Sequence, residues 1–155
     1  MCSSDLRQTV SATQSLLKKG KNSTRYYSFL ARPQQIIKLC KIDHRARQKK
    51  TDEEPGYQRM VNSNRLKGIG EYINSGGVFP TNIVVNITTK NSLKWEKRGT
   101  TNVPFGELTL PDKFGCLSVI DGQHRLFGYT RSDAIMNPND KSLLSILAFE
   151  NLSLS

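Results

Sequence analysis

The sequence predicts a mixed α/β domain, an α+β arrangement with a small mixed sheet and flanking helices. Its length of 155 residues suits one hydrophobic core rather than two. Short β-branched or aromatic runs alternate with stretches of helical periodicity, and Pro-Gly, Pro-Asp and Asn-Pro pairs separate them. Strand, helix, strand is therefore the repeating unit, which is typical of a mixed α/β domain.

The N-terminal residues are expected to lie outside the folded domain. The opening MCSSDL resembles a translated sequencing-adapter end, so residues 1–6 are predicted to be non-biological. Residues 7–24 are rich in Gln, Ser, Thr, Lys and Asn and have few apolar groups, which predicts a mobile or only partly helical segment. The predicted division is a poorly ordered segment at 1–24 and a folded domain at 25–155.

The folded part is predicted to begin with a strand and a helix. Residues 25–30 are aromatic and short, as in a strand, and Pro33 is placed to start the helix that follows. Residues 41–59 alternate blocks of charge and contain a Pro-Gly pair, which predicts an exposed loop.

A second helix is predicted at residues 64–74. Leu66, Ile69 and Ile73 lie at i, i+3 and i+7, the spacing of one buried helix face. Two glycines inside this stretch weaken the helix by roughly 1 kcal/mol each relative to alanine.

The second half of the chain is predicted to contain most of the strands. Residues 82–87 are β-branched, residues 105–110 end at a Pro-Asp pair, and residues 116–120 form a short apolar run followed by a helix. A last strand is predicted at residues 143–149. The polar, basic residues 88–102 predict a loop or a hairpin, in which Trp95 more often anchors the chain than stacks on a nucleic-acid base.

Positive charge is the strongest compositional signal. The chain has 23 Lys and Arg against 13 Asp and Glu, a formal charge of +10 and an isoelectric point near 9.7. Such a field attracts polyanions, and nucleic acid comes first among them. A basic protein without a polyanionic partner is the alternative that composition leaves open.

Three widely spaced cysteines, Cys2, Cys40 and Cys116, show no metal-binding spacing. We therefore expect free thiols, a reducing cytoplasm and no metal site. No run of residues is long and apolar enough for a membrane helix, and the first residues lack the apolar core of a signal peptide, so no membrane association is expected.

The segment CLSVIDGQHRLFGY, residues 116–129, carries the most specific chemistry. Asp121 is predicted to cap the following helix, and Gly122 allows a positive φ or a close approach to the backbone. His124 and Arg125 place cations at a helix N-terminus, which is unfavourable by up to ~1 kcal/mol. A bound anion would offset this, so the pattern predicts a phosphate site.

The alternative is purely structural. Asp121 and Arg125 are four residues apart and can form an ion pair on the helix, with His124 an ordinary surface residue. On the residues alone the two interpretations weigh about evenly.

The run Ile-Asp-Gly-Gln-His-Arg-Leu at 120–126 resembles the signature of the DGQHR-domain family, which includes the DndB proteins of DNA phosphorothioation systems and related proteins of DNA deazaguanine modification. Other stretches agree in order across about residues 26–152. They are GYQR at 56–59, the Arg65-bearing helix ending at Tyr72-Ile73, Phe79-Pro80 with its Ile-Val-Val strand, and LTLP at 108–111.

That family is similar to the ParB and sulfiredoxin superfamily, whose members enclose a nucleotide. The resemblance implies ATP or another nucleotide as ligand, with Mg²⁺ only if hydrolysis occurs. It implies a phosphate-binding pocket made of Gln58, Arg59, Gly122, Gln123, His124 and Arg125. Asp121 is the candidate catalytic residue, for metal or water contact. Arg59 and Arg125 are expected to converge on the same anion.

Sulfiredoxins carry a cysteine where this chain has Gln123, so thiol chemistry is not expected. Family members continue beyond the last strand of this chain, and a fragment is therefore expected.

The leading functional hypothesis is a nucleotide-binding, DndB-like DNA-modification protein, with ATPase activity left open. The alternative from another class is a non-enzymatic DNA-binding regulator of phosphorothioation genes, whose affinity would fall steeply with salt. Nuclease activity ranks last because no second acidic residue is placed beside Asp121. DNA and other DNA-modification proteins are the expected partners, and the oligomeric state is not predicted.

Overall fold

A computed structural model describes residues 8–42, 62–88, 93–150 and 152 as a mixed α/β structure, which confirms the predicted fold class. The strands are β1 Gln8–Lys19, β2 Asn22–Ala31, β3 Cys40–Ile42, β4 Ile83–Ile87, β5 Lys94–Arg98, β6 Phe105–Leu110, β7 Leu117–Asp121 and β8 Leu144–Glu150. The helices are α1 Pro33–Ile37, α2 Ser63–Asn74 and α3 Gln123–Gly128, and two 3₁₀ turns follow at Tyr129–Arg131 and Asp133–Met136.

All eight described strands form one sheet in the order β3-β7-β4-β8-β2-β1-β6-β5. Most neighbours are antiparallel, while β3 with β7 and β4 with β8 are parallel. The early β1–β2 hairpin therefore lies in the middle of the sheet, between strands from the C-terminal half of the chain.

One face of the sheet carries the core. In β8, Leu144, Ile146 and Ala148 are buried while the residues between them are only partly covered, as the alternation of side chains along a strand requires. The helices close this face with apolar side chains that include Ile36 of α1 and Leu126 of α3, both fully buried.

The predicted strands are confirmed to within three residues at each end; they were expected at residues 25–30, 82–87, 105–110, 116–120 and 143–149. Of the predicted loop or hairpin at 88–102, residues 89–92 lie outside the described residues, and the hairpin alternative holds for the rest because β5 pairs with β6. The predicted anchoring role of Trp95 is confirmed. Its ring centroid lies 5.5 Å from that of the buried Tyr27, and the indole packs against the core.

The predicted second helix is confirmed as α2, with Leu66 and Ile73 buried and Ile69 half-buried. One of its two glycines has a packing role. A Cβ on Gly70 would overlap the backbone oxygen of Arg131, so the absence of a side chain lets the 3₁₀ turn after α3 pack directly on α2.

The prediction of a mobile or partly helical segment at 7–24 is wrong for its described part. Residues from Gln8 onward form β1, which pairs with β2 on one side and with β6 on the other. Backbone pairing on both sides and the burial of Val10 and Ala12 order a segment that has few apolar side chains. Residues 1–7 lie outside the described residues.

The predicted exposed loop at 41–59 begins later than expected, because Lys41 and Ile42 belong to β3 and pair in parallel with β7. Residues 43–61 lie outside the described residues. Cys40 of β3 and Cys116 just before β7 are buried free thiols, as expected, and burial raises the pKa of Cys40 to about 12.

Candidate functional site

The candidate site is the turn from β7 into α3, beside the start of β4. Strands β4 and β7 are antiparallel, and their register shifts between Val84 and Val85, so that Val84 faces Asp121 while Val85 faces Val119. Ile120 is thus an extra residue on β7, a β-bulge that bends the strand end. Bulges of this kind re-aim neighbouring side chains, here Asp121 at the end of the strand.

Gly122 connects the strand to the helix in a backbone conformation that favours glycine. Its φ is +87°, in the left-handed region, and its carbonyl accepts the first helical hydrogen bond, from Leu126 N–H at 2.9 Å. A Cβ here would lie 2.7 Å from Ile83 Cδ1 and 3.0 Å from Arg125 Nη2. Both predicted reasons for a glycine, positive φ and close approach, are therefore present.

The prediction that Asp121 caps the helix is wrong. The capping residue is Gly122, which has no side chain to accept a backbone hydrogen bond, and Asp121 is the last residue of β7. The bulge and the left-handed glycine shift the helix start by one residue relative to the expected pattern. The Asp121 side chain is instead 72% exposed and turns towards Arg125.

Arg125 forms a clamp between the turn and the start of β4. Its Nη2 lies 3.3 Å from Asp121 Oδ2, an i,i+4 ion pair, and its Nη1 donates to Thr81 O at 3.0 Å and to the Thr81 hydroxyl. The Arg125 side chain is only 19% exposed. The predicted ion pair is therefore present, and both terminal nitrogens of the guanidinium already have acceptors within the protein.

Gln123 and His124 lie in the first turn of α3, and both are half-buried and engaged in contacts of their own. The helix has six residues before it tightens into a 3₁₀ turn, and the buried Leu126 anchors it to the core. A helix this short contributes only a small dipole field at its N-terminus, because few peptide units are aligned.

The other predicted wall of the pocket, Gln58 and Arg59, lies outside the described residues. The convergence of Arg59 with Arg125 on one anion therefore stays a prediction, as do the phosphate-binding roles of Gly122, Gln123 and His124. Among the described residues, no group of three or more His, Cys, Asp or Glu side chains is placed to hold a metal ion.

Sequence reasoning missed Thr81, the partner that gives Arg125 its position. The two residues are 44 positions apart, and only the antiparallel pairing of β4 with β7 brings them together. The Phe79-Pro80 turn was the nearest available signal, but a turn does not identify a distant partner.

In the part of the chain that the structure describes, no helix is long and apolar enough to cross a membrane.

Comparison with known proteins places the chain in a family. The family model of DndB, described as DNA-sulfur modification-associated, matches residues 17–149, well over half of the chain. No curated protein and no solved structure matches the chain. The match includes β7, Gly122, α3 and Thr81, so the clamp lies within the part that defines the relationship. The chain therefore belongs to the DndB family of DNA-sulfur modification-associated proteins.

Proposed function

We propose that this chain binds double-stranded DNA, without catalysing a reaction on it, as part of a DNA phosphorothioation system. The DndB family provides the setting, since its members are associated with sulfur modification of DNA. A protein acting in such a system needs a surface that meets the phosphate backbone, and Lys and Arg are the side chains that supply it.

The observation that carries this proposal is positive charge that the fold leaves without acidic partners. The chain has a formal charge of +10. Across the described residues, the ion pairs join Arg98 to Glu96 and Glu107, and Arg125 to Asp121. Most described Lys and Arg side chains are exposed and take no part in an ion pair, so their charge is available to a polyanion.

The test is fluorescence anisotropy of a labelled DNA duplex titrated with the chain at several salt concentrations. Each phosphate neutralised by Lys or Arg contributes about −0.9 to the slope of log K against log salt. We expect a linear dependence and at least a tenfold loss of affinity between about 50 and 200 mM salt. An absent signal at low salt, or an affinity that ignores salt, would refute the proposal.

A regulatory role is the finer form of this proposal. A regulator of the phosphorothioation genes would prefer the DNA upstream of those genes over unrelated duplexes of equal length and base composition. Competition between the two duplexes in the same assay measures that preference. Equal competition would leave only binding that is independent of sequence.

The second candidate is binding of a nucleotide phosphate at residues 121–125. It is supported by the Arg125 guanidinium, which lies against the backbone of Gly122 at the start of α3. A phosphate here would replace the Asp121 carboxylate, since that group already pairs with Arg125. If ATP were also hydrolysed, Mg²⁺ would be required and Asp121 would be the residue to contact the metal or the attacking water.

Calorimetric titration of ATP, with and without Mg²⁺, separates this candidate from the first. Binding that is lost in Arg125→Ala and retained in Arg131→Ala, an exposed arginine, would support a phosphate site at the turn. Phosphate release that disappears in Asp121→Asn would support hydrolysis. If ATP gives no binding heat either with Mg²⁺ or without it, the candidate is eliminated.

A further inference from the structure

The β1–β2 hairpin extends beyond the rest of the sheet. Strand β6 pairs with β1 only as far as Thr13, and β8 pairs with β2 only from Tyr26 onward. Residues 16–25 therefore pair only with each other among the described residues, and we call them the hairpin arm. At about 3.3 Å per residue, four residues on each strand project roughly 13 Å beyond the sheet.

The arm has a defined shape and a fixed base. A two-residue turn connects Lys19 to Asn22, and Gly20 supplies its positive φ of 60°. At the base, the buried Tyr27 hydroxyl accepts a hydrogen bond from Gln14 Nε2 at 3.2 Å and donates one to Glu150 Oε2 at 3.1 Å. These contacts hold the strands together where they leave the sheet.

The arm carries only positive charge. The sequence contains no Asp or Glu from residue 6 to residue 42. Lys18, Lys21 and Arg25 are exposed, and none of them belongs to an ion pair among the described residues. Glu150 lies near Arg25 at the base of the arm, away from Lys18 and Lys21.

The shape and the charge together favour a nucleic-acid groove over a protein surface. The arm has two exposed leucines, Leu16 and Leu17, but adjacent residues on a strand point to opposite faces, so they do not make one apolar patch. A two-stranded ribbon fits the major groove of B-form DNA, which is about 12 Å wide. Basic side chains on both strands can then reach the phosphates that border the groove.

We infer that the hairpin arm, residues 16–25, is a DNA-contacting element that inserts into a groove of double-stranded DNA with Lys18, Lys21 and Arg25 on the phosphates. This inference rests on the proposed DNA binding and assigns a surface to it. The contacts are to the backbone, so the arm contributes affinity and orientation rather than base recognition.

The test compares two variants of the full chain that lose the same charge. The arm variant is Lys18→Gln/Lys21→Gln/Arg25→Gln. The control variant is Lys67→Gln/Lys113→Gln/Lys141→Gln, which replaces three exposed lysines on α2 and on the loops before β7 and β8. Affinity for a duplex of about 20 bp is measured by anisotropy across salt concentrations, and thermal unfolding confirms that both variants fold.

We expect the arm variant to bind at least about tenfold more weakly, with a salt slope reduced by about 3, and the control variant to bind nearly as the unaltered chain does. Lys21→Glu, a single change in the turn that removes no strand pairing, provides a second measurement if the triple variant unfolds. It should weaken binding more than Lys113→Glu does.

Equal losses in the two triple variants would overturn the inference and leave the proposed function standing, because binding would then depend on total charge. Absence of DNA binding by the unaltered chain would overturn both. The affinity of the arm variant for single-stranded RNA is measured in the same way. If the arm variant loses more affinity for this RNA than for the DNA duplex, DNA is rejected as the partner of the arm.

Discussion

The Asp121–Arg125 turn and the β1–β2 hairpin arm use basic residues in opposite ways. In the turn, the Arg125 guanidinium is largely buried and its terminal nitrogens are held by Thr81 and Asp121. In the arm, Lys18, Lys21 and Arg25 are exposed and outside every ion pair among the described residues. The first cation stabilises the fold, while the others are available to a ligand.

This difference shows why a motif and a charged segment require different evidence. The motif at residues 120–126 is the more specific sequence pattern, yet its arginine donates hydrogen bonds to Thr81, just before β4, as a structural clamp does. Residues 8–24 contain no such motif, yet the pairing of β1 with β2 projects a basic ribbon into solvent. Availability of a side chain depends on its partners, which only the fold supplies.

The largest effect is expected from Gly122→Ala in the turn. The change forces an L residue to φ +87° and places a Cβ 2.7 Å from Ile83 Cδ1, a side chain that is itself buried. Conformational strain and steric overlap together should lower the free energy of unfolding by about 2–4 kcal/mol. Chemical denaturation of the variant and the unaltered chain measures this difference.

Gly20→Ala in the arm is the matched control. Gly20 also has a positive φ, of 60°, but nothing lies within 4 Å of the added Cβ. Only the backbone strain remains, so the loss should be about 1 kcal/mol. If the two variants are equally destabilised, the close packing at Gly122 does not contribute and the comparison between turn and arm fails.

The loss of stability expected from Arg125→Ala is smaller than that from Gly122→Ala. The change removes the hydrogen bonds to Thr81 and the ion pair with Asp121, so the free energy of unfolding should fall by about 1–3 kcal/mol. Asp121→Asn should cost less than about 1 kcal/mol, because the Asp121 side chain is mostly exposed. Denaturation with urea compares the two variants.

The opposite result would change the interpretation of the turn. If Arg125→Ala leaves stability unchanged while ATP binding is lost, Arg125 is a ligand-binding residue first and the clamp is secondary. The structural interpretation of the turn would then be wrong.

The smallest effect near neutral pH is expected from the Cys40 thiol, on the strand beside β7. Burial raises the pKa of Cys40 from about 9 to about 12, so the folded state keeps a proton that the unfolded state releases. This contribution to stability is complete below pH 9 and is lost as the pH rises towards 12, with a slope of at most about 1.4 kcal/mol per pH unit. Denaturation at several pH values, with Cys40→Ala as reference, should show a shallower decline in the variant.

Local patterns predicted much of the fold. The helix at Ser63–Asn74 followed from the spacing of Leu66, Ile69 and Ile73, and β4 and β8 followed from their β-branched and apolar runs. Those elements bury their own side chains, so their composition carries the signal. Among the described side chains of β1, only Val10 and Ala12 lie in the core. The order of this strand depends on its pairing with β2 and with the distant β6, which composition does not report.

The candidate site divides in the same way. The glycine at 122 and the i,i+4 relation of Asp121 to Arg125 could be predicted, because both depend on neighbours in the chain. The helix cap could not, because the β-bulge opposite Val84 arises from pairing between β4 and β7. Thr81 could not either, for the same reason.

By itself, the sequence determined the charge, the local elements, the need for a glycine in the turn and the resemblance to the DndB family. Only the tertiary structure decided which cations are available. Arg125 contacts Thr81 because two antiparallel strands bring them together. Lys18, Lys21 and Arg25 stay exposed because β1 and β2 extend beyond their pairing with β6 and β8. Both outcomes depend on strand register, a long-range property that no local stretch of residues encodes.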